Sequence, residues 1–257
     1  MTDGQNTRRE ELLKEIGISP AWRLRDAPVV APAAALAARE PDAPVAARAF
    51  SSGGDPGPIA SMDWPALKAC VADCTVCALH VKRNKTVFGV GDENADWLFV
   101  GEGPGADEDA QGEPFVGQAG RLLDNMLAAI ALQRGKNVYI ANIVKCRPPG
   151  NRNPQPEEAQ ACSAYLQRQI ELIRPKLIIA LGKVAAVNLL GRDASIASLR
   201  GQVHAYRDIP LIVTYHPAYL LRTLNDKAKA WEDLCFAVKT IADLQIPRAA
   251  QHDAGPD

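Results

Sequence analysis

The feature that most limits how this chain can fold is a set of four short apolar segments separated by helical patterns. The segments are WLFVGEG (97–103), VYIANIV (138–144), LIIALG (177–182) and LIVTYHP (211–217). Their near-continuous hydrophobicity is typical of parallel strands that are covered on both faces. Helices are predicted by apolar spacing over 117–132, 156–173, 183–190 and 225–244. This alternation predicts an α/β fold: a three-layer α/β/α sandwich around a central four-stranded, mainly parallel sheet.

Outside this pattern the chain changes character. We predict a globular domain over 63–246, a disordered N-terminal extension over 1–62 and a disordered tail over 247–257. The extension starts with an amphipathic helix over 8–17 and continues into an Ala- and Pro-rich segment, which is typical of a flexible linker. Residues 8–25 are a candidate docking peptide for a replication or repair protein, and a tail without function is the alternative.

Charge and hydropathy exclude some classes of function. The net charge is −1, so any contact with nucleic acid must come from local basic clusters. The N-terminus lacks the apolar run of a signal peptide, and no stretch reaches the roughly 18 apolar residues of a membrane span. We therefore expect a cytoplasmic, nucleoid-associated monomer with no membrane partner. In that reducing compartment the six cysteines favour metal binding or free thiols over disulfides.

Polar residues follow the predicted strands where ligands of parallel sheets bind, beyond the carboxyl ends. These residues are Glu102 and Gly103 after the first strand, Asn142 in the second and His216 after the last. A buried Asn and a lone His are often structural. At a strand end, however, an amide presents a donor beside an acceptor, which suits the edge of a nucleobase.

The loop GEGPGADEDAQGEPFVGQAG (101–120) joins the first strand to a helix and is rich in glycine. Such a loop could cradle a phosphate, but neither G-x-G-x-x-G nor a Gly-Lys-Ser/Thr ending is present. Phe115 stands among polar residues in this loop. It is either a local core residue or a flat surface on which a base could stack.

The cysteines suggest one shared metal centre. Cys74 and Cys77 form a C-x2-C pair, and Cys146 and Cys162 lie at the two ends of KCRPPGNRNPQPEEAQAC (145–162). Their spacing does not separate zinc from an iron–sulfur cluster. With Cys70 the first pair also reads C-x3-C-x2-C, which resembles the radical S-adenosylmethionine signature, but too few strands follow for the barrel that chemistry needs.

GEGPGADEDAQGEPFVGQAG, ANIVKCRPPGNRNPQPEE and YHPAYLLR together resemble the motifs of type 4 uracil-DNA glycosylases, the iron–sulfur branch of that superfamily. The resemblance covers about residues 70–244. It implies a [4Fe-4S] cluster, and the matching ligands are Cys74, Cys77, Cys146 and Cys162. Cys70 and Cys235 match nothing in the family and are expected to be free thiols.

The resemblance also implies a monofunctional glycosylase acting on uracil in single- or double-stranded DNA. Phe115 would stack on the flipped base, Asn142 would read its edge, and His216 would stabilise the uracil anion. Gly103 stands where the best-known members of the superfamily have an Asp. Whether Glu102 or Glu108 activates water, or only orders the loop, therefore stays open.

Contacts to the DNA backbone are expected from three basic side chains of the cysteine loop, Lys145, Arg147 and Arg152, and from Arg222. Tyr219 or Leu220 would fill the space left by the flipped base, while at least one of Leu220 and Leu221 packs into the core. Two alternatives remain. One is a protein of the same superfamily that traps uracil-DNA without turnover, and the other is a zinc-stapled nucleotide-binding module without catalysis.

Overall fold

The computed structural model of the chain describes residues 58–245. The predicted helix over 8–17, the docking segment 8–25 and the tail over 247–257 lie outside these residues. So does most of the predicted linker. Its last residues belong to a 3-10 turn, Pro58–Ser61, in which Ile59 packs against the core.

A six-stranded sheet forms the centre of the described region. Its strands are β1 (Val90–Gly91), β2 (Trp97–Gly101), β3 (Val138–Asn142), β4 (Leu177–Leu181), β5 (His204–Tyr206) and β6 (Ile209–Thr214). They lie in the order β1-β3-β2-β4-β6-β5. The four inner strands are parallel, as predicted. The prediction of four strands was wrong in number, because β1 and β5 add short antiparallel edges.

Helices cover both faces of the sheet, which confirms the three-layer α/β/α sandwich. They are α1 (Trp64–Ala72), α2 (Ala106–Gln111), α3 (Gln118–Ala129), α4 (Pro156–Ile173), α5 (Lys183–Leu190), α6 (Ile196–Leu199), α7 (Pro217–Leu220) and α8 (Lys227–Gln245). One apolar core lies between the sheet and α1, α4 and α5, and the other between the sheet and α3 and α8. Within residues 58–245, no helix has the length and apolar character needed to cross a membrane.

Local sequence explains where the main helices begin and end. The Asp63 side chain accepts a hydrogen bond from the N–H of Ala66 at 3.0 Å and caps α1. In α4, Gln155 and Glu158 form a capping box, and Pro156 occupies the first turn, where its missing N–H has no cost. Gly191 ends α5 in the left-handed conformation, with φ 66°.

The parallel arrangement places the candidate site. Strands β2, β3, β4 and β6 point the same way, so their carboxyl ends meet at one edge of the sheet. The register pairs Gly101 with Asn142, which brings the end of β2 beside the end of β3. His216 follows β6 at the same edge.

Candidate functional site

Asn142, Phe115 and His216 come together around two glycines at this edge. A Cβ atom added at Gly101 would lie 2.5 Å from Asn142 Oδ1 and 2.6 Å from Phe115 Cζ. The Phe115 and His216 rings are 5.5 Å apart between centroids and inclined by 30°. A Cβ at Gly182 would lie 2.8 Å from His216 Cβ. Because these positions carry no side chain, an amide, an aromatic ring and an imidazole can share one small space.

Phe115 is held in a conformation that non-glycine residues rarely adopt, with φ 55°. Its carbonyl and that of Pro114 each accept a hydrogen bond from Arg134 at 2.8 Å. Gly120 packs against the same carbonyl, since a Cβ there would lie 1.7 Å from the Phe115 oxygen. Arg134 thus fixes the aromatic ring at the site. Sequence analysis missed it, because nothing local marks a charge that acts across 19 residues.

Glu108 orders the loop that carries Phe115. Its carboxylate accepts three backbone hydrogen bonds, from Gly105 at 3.0 Å, Val116 at 2.9 Å and Gly117 at 3.1 Å. Of the two roles left open for Glu108, this geometry favours loop ordering over water activation. Gly103 packs against Val144, since a Cβ at this position would lie 2.7 Å from Val144 Cγ2.

Two polar side chains at the strand ends keep their hydrogen-bonding capacity. Asn142 is 2% exposed, yet its side-chain amide forms no hydrogen bond with any residue between 58 and 245. The half-buried Glu102 carboxylate is likewise unpartnered within that range, and burial raises its pKa above the usual value. Within residues 58–245 every buried side-chain N or O atom has a hydrogen-bond partner, so the unpaired atoms of these two side chains reach solvent at this edge. A ligand can therefore contact both.

The His216 ring has a defined tautomer. Its Nδ1 accepts a hydrogen bond from the backbone N–H of Ala218 at 3.1 Å. Burial, followed by repulsion from Arg222, lowers the pKa of His216 to about 4, and Glu108 opposes this shift. The imidazole is therefore neutral at physiological pH. With Nδ1 occupied as an acceptor, the proton is on Nε2, which leaves a neutral N–H donor.

A buried network behind His216 anchors the segment that bears it. The Asp233 carboxylate, on α8, accepts hydrogen bonds from Thr214 Oγ1 and Arg200 Nε, each at 2.7 Å. The Arg200 guanidinium also lies 5.2 Å from the centre of the Tyr215 ring. Thr214 and Tyr215 directly precede His216, so this network fixes the end of β6. Sequence analysis did not identify Arg200 or Asp233, because their pairing depends on tertiary contact.

In the segment after β6, which was predicted to fill the space left by the flipped base, the exposed side chains differ from those expected. Leu220 is only 1% exposed, so the expectation that it reaches DNA is wrong for this structure, and Leu221, at 40%, is the exposed leucine. Consecutive side chains of a helix point roughly 100° apart, so Leu220 can face the core while Leu221 faces solvent. The Tyr219 ring stacks on Tyr215 at 5.2 Å, and its hydroxyl donates to Asp226 at 2.6 Å. Arg222 is exposed, as a phosphate contact requires.

Of the three basic side chains of the cysteine loop that were expected to contact DNA, two are accessible to solvent and one is buried. Arg152 is exposed and makes a bidentate pair with Glu158 at 2.7 and 2.8 Å. Arg147 donates to Asn151 at 2.7 Å and is partly exposed. Lys145 is 1% exposed, so the expectation that it faces a DNA backbone is wrong. Its aliphatic stem and ammonium are enclosed because it follows β3 directly into the core.

The four cysteines of the predicted centre lie on the side of the sheet covered by α1 and α4. Cys146 and Cys162 are buried, and Cys74 and Cys77 are half-buried. Burial, opposed by Lys145, raises the pKa of Cys162 to about 11, and burial, opposed by Arg83, raises the pKa of Cys146 above its usual value. Charge on Cys77 contributes to both upward shifts. Thiols that influence one another in this way are near neighbours.

Positive groups surround these thiols. Arg83 donates to Cys146 Sγ at 3.2 Å and to the Cys74 carbonyl at 2.6 Å. Between residues 58 and 245, no three His, Cys, Asp or Glu side chains are close enough to hold one metal ion. An all-thiol donor set beside cations still fits an anionic sulfur-rich centre. Of the two cysteines expected outside the centre, Cys70 is half-buried with its sulfur 3.8 Å from the Tyr165 hydroxyl, and Cys235 is exposed.

Comparison with known proteins identifies the family of this chain. Residues 88–235 match the model of the uracil DNA glycosylase superfamily, and the chain belongs to that superfamily. It is 47% identical over 159 residues to the type-4 uracil-DNA glycosylase of Archaeoglobus fulgidus, covering 59% of this chain and 79% of the relative. It is 43% identical over 181 residues to the type-4 enzyme of Pyrobaculum aerophilum, covering 67% and 92%.

A type-5 uracil-DNA glycosylase of Pyrobaculum aerophilum is less similar. Its identity is 32% over 149 residues, which cover 51% of this chain and 64% of the relative. The resemblance to type 4 is therefore confirmed.

Proposed function

We propose that this protein is a uracil-DNA glycosylase that hydrolyses the N-glycosidic bond of uracil in DNA and leaves an abasic site for base excision repair. The superfamily match and the type-4 relatives support this proposal. The observation that carries it is the Asn142 side chain, whose amide has no hydrogen-bond partner among residues 58–245 and is accessible at the edge where Phe115 and His216 meet.

Recognition of the base follows from that amide. A base within a duplex is out of reach, so the enzyme extrudes it at a cost of roughly a few kcal/mol. Phe115 then stacks on the flipped ring, and Asn142 pairs with the O4 and N3–H edge of uracil. Cytosine reverses donor and acceptor at that edge and would leave buried polar groups unpaired.

Bond cleavage separates an electron-poor sugar from a uracil anion. The neutral His216 donates its Nε2–H toward O2 of the base and stabilises the developing charge, which we take as the main source of rate. Glu102, half-buried with a raised pKa and unpartnered among the described residues, positions the water that adds at C1′. Lys145 directs its ammonium to the Asn142 carbonyl and Gln169, which supports hydrolysis without a lysine nucleophile.

The cofactor of the proposal is a [4Fe-4S] cluster held by Cys74, Cys77, Cys146 and Cys162. When bound, it would supply a covalent crosslink between the segment before β1, the loop after β3 and α4. Arg83 and Lys145 place positive charge beside thiolate ligands that are themselves largely buried. Purified protein with iron and acid-labile sulfide supports this cofactor, while zinc alone would contradict it.

The decisive experiment incubates the protein with a uracil-containing oligonucleotide and then treats the product with alkali. Scission only after alkali is expected, and it should be abolished in His216→Ala and retained in His204→Ala, a histidine on β5 outside the site. An alkali-labile product from Glu102→Gln at the wild-type single-turnover rate would remove Glu102 as the water-positioning group. An SDS-stable complex would favour the trapping protein, and no abasic product with bound zinc would favour the zinc-stapled binding module.

A further inference from the structure

Lys145 is a fully enclosed cation without a carboxylate partner among the described residues. It is 1% exposed, and its ammonium donates to the Asn142 carbonyl at 3.0 Å and to Gln169 Oε1 at 2.6 Å. Gln169, on α4, is itself fully buried and donates from Nε2 to the Phe88 carbonyl at 2.9 Å. Burying a charge costs several kcal/mol unless it is compensated.

The position of Lys145 is explained by the sheet edge beside β3. Strand β1 pairs with β3 only as far as Val90 opposite Ile140. The segment over 87–89 continues on that side without strand pairing, and the Val87 N–H donates to the Lys145 carbonyl at 2.8 Å. The N–H of Ile143 donates to Gly101 on the other side at 3.0 Å. Because successive peptide groups alternate in direction, the Asn142 carbonyl faces the side without a strand. Lys145 and Gln169 supply there the hydrogen bonds that a longer β1 would have given.

We propose that Lys145 is a positioning residue: through its bond to the Asn142 carbonyl, and with Gln169 as its brace, it sets the Asn142 amide on the edge of the flipped base. This inference rests on the proposed function. A side chain that reads a base must be held within about 0.5 Å of its working position, and a backbone anchor at the same residue does this directly. Lys145 acts on Asn142 and does not touch the substrate.

Negative charge on the cysteine ligands would make a lysine suitable at position 145. Lys145 directly precedes Cys146, which is buried in the same core as Cys162. Thiolates at these positions would be the buried negative charge that balances the ammonium. The lysine thereby links the proposed cluster ligands to the residue that reads the base, with only three positions between Asn142 and Cys146.

The test compares Lys145→Met, which keeps an unbranched side chain one atom shorter and removes its donors, with Lys176→Met. Lys176 pairs with Asp96 at 3.0 Å, is half exposed and precedes β4 at the opposite edge of the sheet. For Lys145→Met we expect wild-type iron per chain, a 10- to 100-fold loss of kcat/KM carried mainly by kcat, and a smaller preference for uracil over cytosine. Lys176→Met should match the wild type in all three.

Binding gives a readout that does not depend on turnover. An oligonucleotide with 2′-fluoro-2′-deoxyuridine, whose glycosidic bond resists hydrolysis, should bind Lys145→Met more weakly than wild type, whereas the matching cytosine oligonucleotide should bind both equally. If the wild-type protein formed no abasic product, the proposed function would be contradicted. The binding comparison between wild type and Lys145→Met would still decide the role of Lys145. Wild-type kcat/KM and wild-type uracil selectivity in Lys145→Met would overturn the inference.

A second pair of variants covers the case in which Lys145→Met does not fold or load iron. Gln169→Glu keeps an acceptor for the ammonium, and Gln169→Leu removes it. Activity and uracil selectivity should be close to wild type in Gln169→Glu and reduced in Gln169→Leu. Equal selectivity in the two variants would overturn the inference as well.

Discussion

Replacing Gly101 with alanine tests whether Asn142 and Phe115 act together at one point. The added Cβ would lie 2.5 Å from Asn142 Oδ1 and 2.6 Å from Phe115 Cζ, against an ordinary contact of 3.4–4 Å. Both side chains must therefore move by about 1 Å, and a displacement of that size costs on the order of 100-fold in rate. The same crowding should lower the free energy of unfolding by about 1–3 kcal/mol.

The assay is single-turnover cleavage of a uracil-containing oligonucleotide, with a urea unfolding curve measured in parallel. Gly135→Ala is the matched control. Gly135 has φ 78°, so alanine there carries backbone strain, but no other atom lies within 4 Å of its added Cβ. Gly135→Ala should lose stability and keep its rate. A wild-type rate in Gly101→Ala would refute the idea that the two side chains share the base-binding space.

Three further predictions concern charge and cysteine. His216 takes up a proton near pH 6.5 in the unfolded chain but only near pH 4 in the folded protein. The free energy of unfolding should therefore decrease as the pH falls between these values, and His216→Asn should flatten that decrease in urea titrations. Identical pH profiles would contradict this. Asp233→Asn should cost about 3 kcal/mol in urea unfolding, whereas Glu93→Gln, in an exposed pair with Lys68, should cost less than about 1 kcal/mol; equal costs would refute the role of the buried network. Cys162→Ala should lose bound iron and lower the thermal midpoint by roughly 5 °C or more, while the exposed Cys235→Ala changes neither; iron retained in Cys162→Ala would exclude this ligand.

The inner strands and main helices could be read from the sequence because each has a strong local pattern. The helix over 156–173 matches α4, and that over 183–190 matches α5, at both ends. Edge strands β1 and β5 could not be found this way. They have two and three residues, too few to show a period, and they exist because a neighbouring strand offers hydrogen bonds.

The site was predictable as far as it depends on strand ends. Asn142, Phe115 and His216 were expected together and lie together. The supports behind them were not expected, because Arg134, Asp233 and Gln169 act over long separations in the chain. Lys145 was misplaced for a related reason. Its basic, proline-rich neighbours suggested a surface loop. However, it closely follows a buried strand, and its side chain points into the core.

The short outer strands have a consequence for how this protein can associate. Growth of a sheet across a chain boundary needs a long, flat row of free N–H and C=O groups, and such rows also nucleate aggregation. Here one outer strand spans only Val90–Gly91 and the other only His204–Tyr206. Neither is long enough to pair in register with an extended peptide. Contacts that the described region makes with other macromolecules must therefore use side chains of its helices and loops.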